Sequence, residues 1–365
     1  MFNKSERINA TTYRKKIVVL GPAARGGMKT VIDTYATSGF YSPGHSVFLA
    51  SHREGGVLLR SWVALQALIY MFWMLLTQKV ELSHLHMATK GSFWRKSIFV
   101  LICRLFGVPT VIHLHGGRFT VFYEDSAKWI RYLIRHVFDR ADAIIVLSQY
   151  WFDFVKPLTR TPVRVINNFV PDHLDTVITK FERHPRHVLF LGQIGVNKGI
   201  YDLLPVFSDI VRRFPDAKLV CGGDGEVNKV CSKIVELGAT DVIDVPGWVS
   251  GPGKEELMYR CSIFVLPSYN EGLPMAIIEA MSYSMVVVST RVGGIPELVD
   301  ESNGFLITPG NQDELRAALI KLFEKDEQAI SVMGAASREK YLKSFAPEAC
   351  LSEMRSLYLS LGVTP

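Results

Sequence analysis

Two rhythms alternate along the chain. Short runs of aliphatic and β-branched residues, "KKIVVLG", "HSVFLAS", "VELSHLHMA", "VPTVIHLHGG", "DAIIVLSQ" and "VRVINNFV", read as buried strands. Between them apolar residues recur three and four apart. After "GPAARGGMK", Val31, Ile32 and Tyr35 share one helical face. Residues 62–76, "FWRKSIFVLICRLFG" and "AKWIRYLIRHVFDRA" are further helices. Near-continuous apolar strands alternating with helices imply a parallel sheet covered on both faces.

The pattern restarts at "RHVLFLGQIG". Helix, strand and loop follow through "GIYDLLPVFSDIVRRF", "AKLVCGGDGE", "DVIDVPGWV", "KEELMYRCS", "IFVLPS", "PMAIIEAMSYS", "MVVVSTRVGG" and "IPELVDE". The fold class is therefore α/β, with two Rossmann-like, doubly wound domains facing a cleft. "PDHLDTVITKF", residues 171–181, breaks the strand rhythm. The expected units are residues 1–172, residues 173–344, and a C-terminal amphipathic helix in 345–365 that packs back on the first domain. A chain of 365 residues is long enough for two cores.

Charge is divided between the halves. Residues 1–170 hold 22 Lys and Arg against 9 Asp and Glu, and the remainder holds 19 against 26. The basic half suits an anionic membrane surface or a polyanionic ligand. No nucleic-acid motif accompanies the charge, so nucleic-acid binding is not expected. The five cysteines are scattered without C-x-x-C spacing, which points to a reducing compartment and away from disulfides or a zinc site. The N-terminus does not read as a signal peptide. The apolar stretch 62–76 is shorter than the roughly 20 residues a bilayer span needs, so a buried or interfacial helix is expected.

Candidate chemistry gathers in loops at the carboxyl ends of strands, where open parallel sheets bind ligands. Gly26 and Gly27 precede a helix and let backbone amides approach an anion, or simply make a tight turn. His113 and His115 share a strand face, and His115 abuts the turn at Gly116 and Gly117. His113 reads as a core residue and His115 as a polar or proton-transfer group. With no Asp, Glu or Cys nearby, "HLH" is not read as a metal site. Lys198 follows the loop of Gly192 and Gly195 at a helix start, where its charge adds to the helix dipole. Asp224 and Glu226 in "GGDGE" read as a turn device rather than a metal pair. In "EGLPMAIIEAM", Glu271 stands at a helix entrance and Glu279 lies more than a turn deeper, with the amides of Gly272 and Leu273 between them. Carboxylates so placed can grip vicinal hydroxyls, although by periodicity alone Glu279 is a half-exposed helix residue.

Taken together, these residues resemble the family 4 retaining glycosyltransferases of the GT-B fold. The most specific part is 267–307, which matches the family's E-x7-E motif and the strand and glycine turn after it. "GQIGVNKGIYDLL", "GGDGE" and "FVLPS" match in order, and the N-terminal "GG" and "HGG" match more weakly. The resemblance implies that Glu279 binds the nucleotide ribose, Glu271 the transferred sugar and Lys198 the donor diphosphate. It places Gly26 and Gly27 at the diphosphate or acceptor and His115 beside the donor sugar. Gln193 stands where the family usually has an arginine, so Arg25, Arg118 or Arg291 would have to compensate, or leaving-group stabilisation is weaker.

The implied reaction moves a hexose from a nucleoside-diphosphate sugar to a saccharide acceptor with retention, in cell-surface polysaccharide synthesis. No metal or other cofactor is expected. A UDP-sugar is the first choice of donor and GDP-mannose the second. The basic half and the mixed "FWRKSIFVLICRLF" helix suggest peripheral attachment at the cytoplasmic face of a membrane, with a polyprenyl-diphosphate-linked acceptor. The alternatives are a sugar-nucleotide epimerase or hydrolase on the same fold, or a non-catalytic partner subunit.

Overall fold

The computed structural model describes residues 15–24, 26–42, 44–172 and 182–365. Most of the expected linker, and Arg25 among the candidate cations, lie outside the described residues.

The first domain runs β1 (Lys16–Pro22), α1 (Gly27–Thr37), β2 (Ser46–His52), α2 (Val57–Leu76), β3 (Val80–Met87), α3 (Lys90–Leu105), β4 (Thr110–Leu114), α4 (Phe119–Glu124), α5 (Lys128–Phe138), β5 (Ala143–Val146), α6 (Gln149–Val155) and β6 (Val163–Val165). The second runs β7 (His184–Leu191), α7 (Ile200–Ile210), β8 (Lys218–Gly222), α8 (Val227–Glu236), β9 (Ile243–Gly247), α9 (Gly251–Arg260), β10 (Cys261–Leu266), α10 (Met275–Ser282), β11 (Val286–Thr290), α11 (Ile295–Leu298), β12 (Gly304–Ile307), α12 (Gln312–Phe323) and α13 (Glu327–Ser344). The chain ends with α14 (Pro347–Ser360).

Each domain carries a six-stranded sheet, ordered β2-β1-β3-β4-β5-β6 and β12-β11-β10-β7-β8-β9. All pairings are parallel. The strand order reverses beside β1 and beside β7, which opens a crevice at the carboxyl edge of each sheet.

Strand and helix types follow the sequence pattern, but "VRVINNFV" forms a strand only over Val163–Val165. Its asparagines leave the sheet, and their side-chain amides donate to the carbonyls of Ser344 and Leu273. On one face of the first sheet α2, α3, α5 and α6 build an apolar layer. On the other, α1 packs beside α14, whose Leu351, Met354 and Tyr358 meet Ile17, Val19 and Tyr35.

The structure sets aside a buried setting for the apolar stretch at 62–76. In α2 only Val63, Ala67, Met71, Met74 and Leu75 face the core. A second stripe of Leu58, Trp62, Leu65, Ile69, Trp73 and Leu76 is exposed. At 20 residues, α2 is also long and apolar enough to cross a membrane. Beside it α3 exposes Ile98, Leu101 and Leu105.

Candidate active site

The loop after β10 carries most of the second domain's chemistry. Glu271 is buried there, 9% exposed. Its Oε1 accepts from Lys198 Nζ at 2.5 Å and from Ser268 Oγ at 2.8 Å. Lys198 closes a single 3-10 turn, Val196–Lys198, beyond β7. Tyr269 N donates to the Asn197 carbonyl at 2.9 Å, so the two loops are tied by backbone as well as by charge. Glu279 lies in the middle of α10 and is half-buried. Its Oε1 meets Lys254 Nζ of α9 at 2.5 Å. Gln193 is exposed in the loop after β7, and Arg118 and Arg291 are exposed as well.

The first domain closes on this loop through glycines. A Cβ on Gly117 would lie 2.6 Å from the Glu271 carbonyl carbon and 2.8 Å from Gly272 N. Only a residue without a side chain allows that approach. Gly293 reaches the same loop from the other side, with φ +53° and no room for a Cβ beside the Glu271 carbonyl oxygen. Gly272 O accepts from Gly294 N at 2.8 Å, and Leu273 O accepts from Asn168 Nδ2 at 3.2 Å. Glu297 of α11 takes the backbone N–H groups of Gln149 and Tyr150, both at 3.0 Å, and so binds the first turn of α6. Gly26 caps α1 and Gly27 opens it, at the carboxyl end of β1.

His115 does not stand alone. Residues 84 and 86 share a face of β3, and β4 places His113 opposite His86 in register. His115 Nε2 bonds His86 Nδ1 at 2.8 Å, and His84 Nε2 bonds His113 Nδ1 at 3.1 Å. Tyr358 OH of α14 and Tyr41 OH meet His84 Nδ1 at 2.6 and 3.1 Å. The Nε2 atoms of His86 and His113 have no hydrogen-bond partner among the described residues. His84, His86 and His113 form the one group among the described residues with metal-ligand spacing. "HLH" lacked partners in its own segment, and the neighbouring strand supplies them.

Burial drives the whole stack toward the neutral form. It lowers His84 to about 3, and burial with the charges of His84 and Lys96 lowers His115 to about 3. His86 and His113 are also pushed well below the usual range, chiefly by burial. A neutral His115 at ordinary pH can position a hydroxyl but offers no charge.

Glu226 accepts from Tyr201 OH and Lys229 Nζ, and the Asp224 carbonyl accepts from Ile194 N, so "GGDGE" works as a turn tying β7 to β8. Lys254, Ser268, Asn168 and Glu297 join the site although sequence reasoning did not single them out. Lys254 sits in an ordinary charged helix, and its meeting with Glu279 depends on how α9 and α10 pack.

Two family models match the chain: "Glycosyltransferase Family 4" over residues 25–174 and "Glycosyl transferases group 1" over residues 176–340. A UDP-Gal:alpha-D-GlcNAc-diphosphoundecaprenol alpha-1,3-galactosyltransferase of Escherichia coli is 24% identical, over 82% of this chain and 80% of its own. A GDP-mannose:cellobiosyl-diphosphopolyprenol alpha-mannosyltransferase of Xanthomonas campestris is 27% identical, over 66% and 63%. Among solved structures, Anabaena HepE in complex with UDP-glucose superposes with a TM-score of 0.73 at 18% identity, covering 94% of this chain and 99% of that one.

Proposed function

The chain belongs to the family 4 glycosyltransferases and has their GT-B architecture, and from that premise we propose that it transfers a hexose, with retention, from a UDP-sugar to a lipid-linked saccharide. The observation that carries the donor reading is the pairing of Lys198 with Glu271 at the entrance of α10, with Glu279 deeper in the same helix. Breaking a sugar–phosphate bond leaves negative charge on the phosphate. A cation held beside a buried carboxylate is pre-placed to stabilise that charge. Glu271 and Glu279 then offer acceptor oxygens to sugar and ribose hydroxyls, and the Gly117 loop covers the sugar side. Gln193 contributes hydrogen bonds without charge, so Lys198 carries the larger share of leaving-group stabilisation.

The acceptor reading draws on the two relatives, whose names specify diphosphopolyprenol-linked saccharides. The basic first half and the exposed stripe of α2 fit an anionic membrane surface. The opposite side of α2 packs along the sheet, which supports a helix that lies on a membrane surface over one that crosses it. Attachment at the cytoplasmic face follows from this reading, with polysaccharide assembly as the setting and no metal required.

A thermal-shift screen of UDP, GDP and ADP sugars tests the donor. Stabilisation by a UDP-sugar at micromolar concentration is expected, and a response confined to GDP-mannose would replace it. Proton NMR of the first-formed product tests retention through the anomeric coupling constant. Inversion would refute the mechanism.

A further inference from the structure

Lys96 is a cation in an unusual place. It belongs to the second turn of α3 and is fully buried. Its Nζ donates to Ser92 Oγ at 2.9 Å, and no carboxylate lies within ion-pair distance of it among the described residues. Burying an unpaired ammonium is costly, so such a group is kept where a ligand completes it. Its neighbours are cationic too. Arg95 folds back over Gly91 and has a buried Nε without a hydrogen-bond partner among the described residues. His52, at the end of β2, has a buried Nδ1 without a hydrogen-bond partner among the described residues. Arg60, on the first turn of α2, adds a third charge, and the charges of Arg95, Lys96 and Arg60 all act on His52.

The location ties this cluster to the cleft. The β3–α3 turn at Ala88 and Thr89 packs against Gly116, with 3.4 Å from a built Cβ to Ala88 Cα. The next residue, Gly117, abuts Glu271. Along α2 the exposed apolar stripe runs away from Arg60 toward Leu76. The turn that leads into Lys96 therefore adjoins the loop that meets Glu271, in the domain whose α2 carries the exposed apolar stripe.

We propose that Lys96, Arg95 and Arg60, with His52, bind the diphosphate of a lipid-linked acceptor, while its apolar chain lies over α2. The proposal rests on the acceptor reading given above. Lys96 and Arg95 are adjacent on α3, their charges and that of Arg60 act on His52, and none of these cations has an ion-pair carboxylate among the described residues, which suits a group of two or more negative charges. Ser92 Oγ also accepts from Ala88 N at 3.3 Å, so the turn that presents Lys96 is fixed by the same hydroxyl. Burial, with the charge of Arg95, lowers Lys96 to about 7, and a bound anion would return it to the charged form.

The test compares full-length wild type with Lys96→Met and Arg95→Gln. The probes are farnesyl diphosphate, farnesol, UDP and phosphatidylglycerol vesicles. Both variants should bind farnesyl diphosphate at least tenfold more weakly, with farnesol, UDP and vesicle binding unchanged. Lys96→Met should also melt at a higher temperature, because it removes a buried unpaired charge and shows that the variant is folded. Unchanged farnesyl diphosphate affinity, or none in the wild type, overturns the proposal. A parallel loss of UDP binding assigns the cations to the donor, and a parallel loss of vesicle binding assigns them to lipid headgroups; either also overturns it. Failure of the wild type to bind UDP would refute the donor reading while the diphosphate arm is still read separately.

Discussion

Lys198 and Glu271 stand 73 residues apart in the chain and meet at 2.5 Å. The pair joins the loop after β7 to the loop after β10, and Ser268 holds the carboxylate oxygen that receives the lysine. Lys198→Met should lower kcat/KM by about 10²–10³, the usual effect of removing one group that stabilises developing charge. Steady-state kinetics with the donor varied would measure it. The loss should fall mainly on kcat, since the charge on the phosphate grows in the transition state. A rise in KM alone would mean that Lys198 only binds.

Gly117→Ala should separate the two domains at the sugar side of the cleft. The added Cβ meets backbone atoms of Glu271 and Gly272, which have no flexible end to swing aside. Misplacement of reacting groups by about 1 Å costs roughly a hundredfold in rate. Transfer should fall by about that factor, while UDP affinity, which the proposed donor site places within the second domain, should change little. Paired turnover and calorimetry on one preparation would show it.

Ile69→Glu in the exposed stripe of α2 should abolish flotation with anionic vesicles. Ile69 is 61% exposed, so the folded core does not depend on it. Melting temperature and UDP binding should match wild type. Vesicle binding that survives this change together with Trp62→Glu would remove α2 from the membrane reading.

The histidine stack sets a pH dependence of stability. His84 and His115 titrate near 3 in the folded protein and near 6.5 when unfolded. Between these values the unfolded chain binds the extra protons, so stability falls as pH drops from about 6.5 toward 3. Above 6.5 the contribution is constant. Tyr41, Tyr358 and Lys96 are the other titratable groups in contact with the stack or acting on it. Calorimetric melting from pH 4 to 8 should show the fall, and His84→Gln should flatten it.

The sheets and most helices were legible because buried parallel strands are nearly all apolar and their turns are rich in glycine. Glu271 and Lys198 were placed in neighbouring loops by motif and loop position, and the structure brings those two together. Other partnerships at the site were not legible. Lys254 reaches Glu279, and Glu297 reaches the amides of Gln149 and Tyr150, only through tertiary packing. His84 and His86 lay in plain view, but their meeting with His113 and His115 needs the β3–β4 register. The exposure of α2 was hidden because an apolar face covered by sheet and one left bare have the same periodicity.

Radiolabelled sugar supplied as a UDP-sugar, with a polyprenyl-diphosphate-linked saccharide as acceptor, gives the most direct test of the function. The expected result is label in the organic-extractable lipid fraction, falling at least a hundredfold with Glu271→Ala. Label appearing only as free sugar in water, or lipid label undiminished in Glu271→Ala, would contradict transfer at this site.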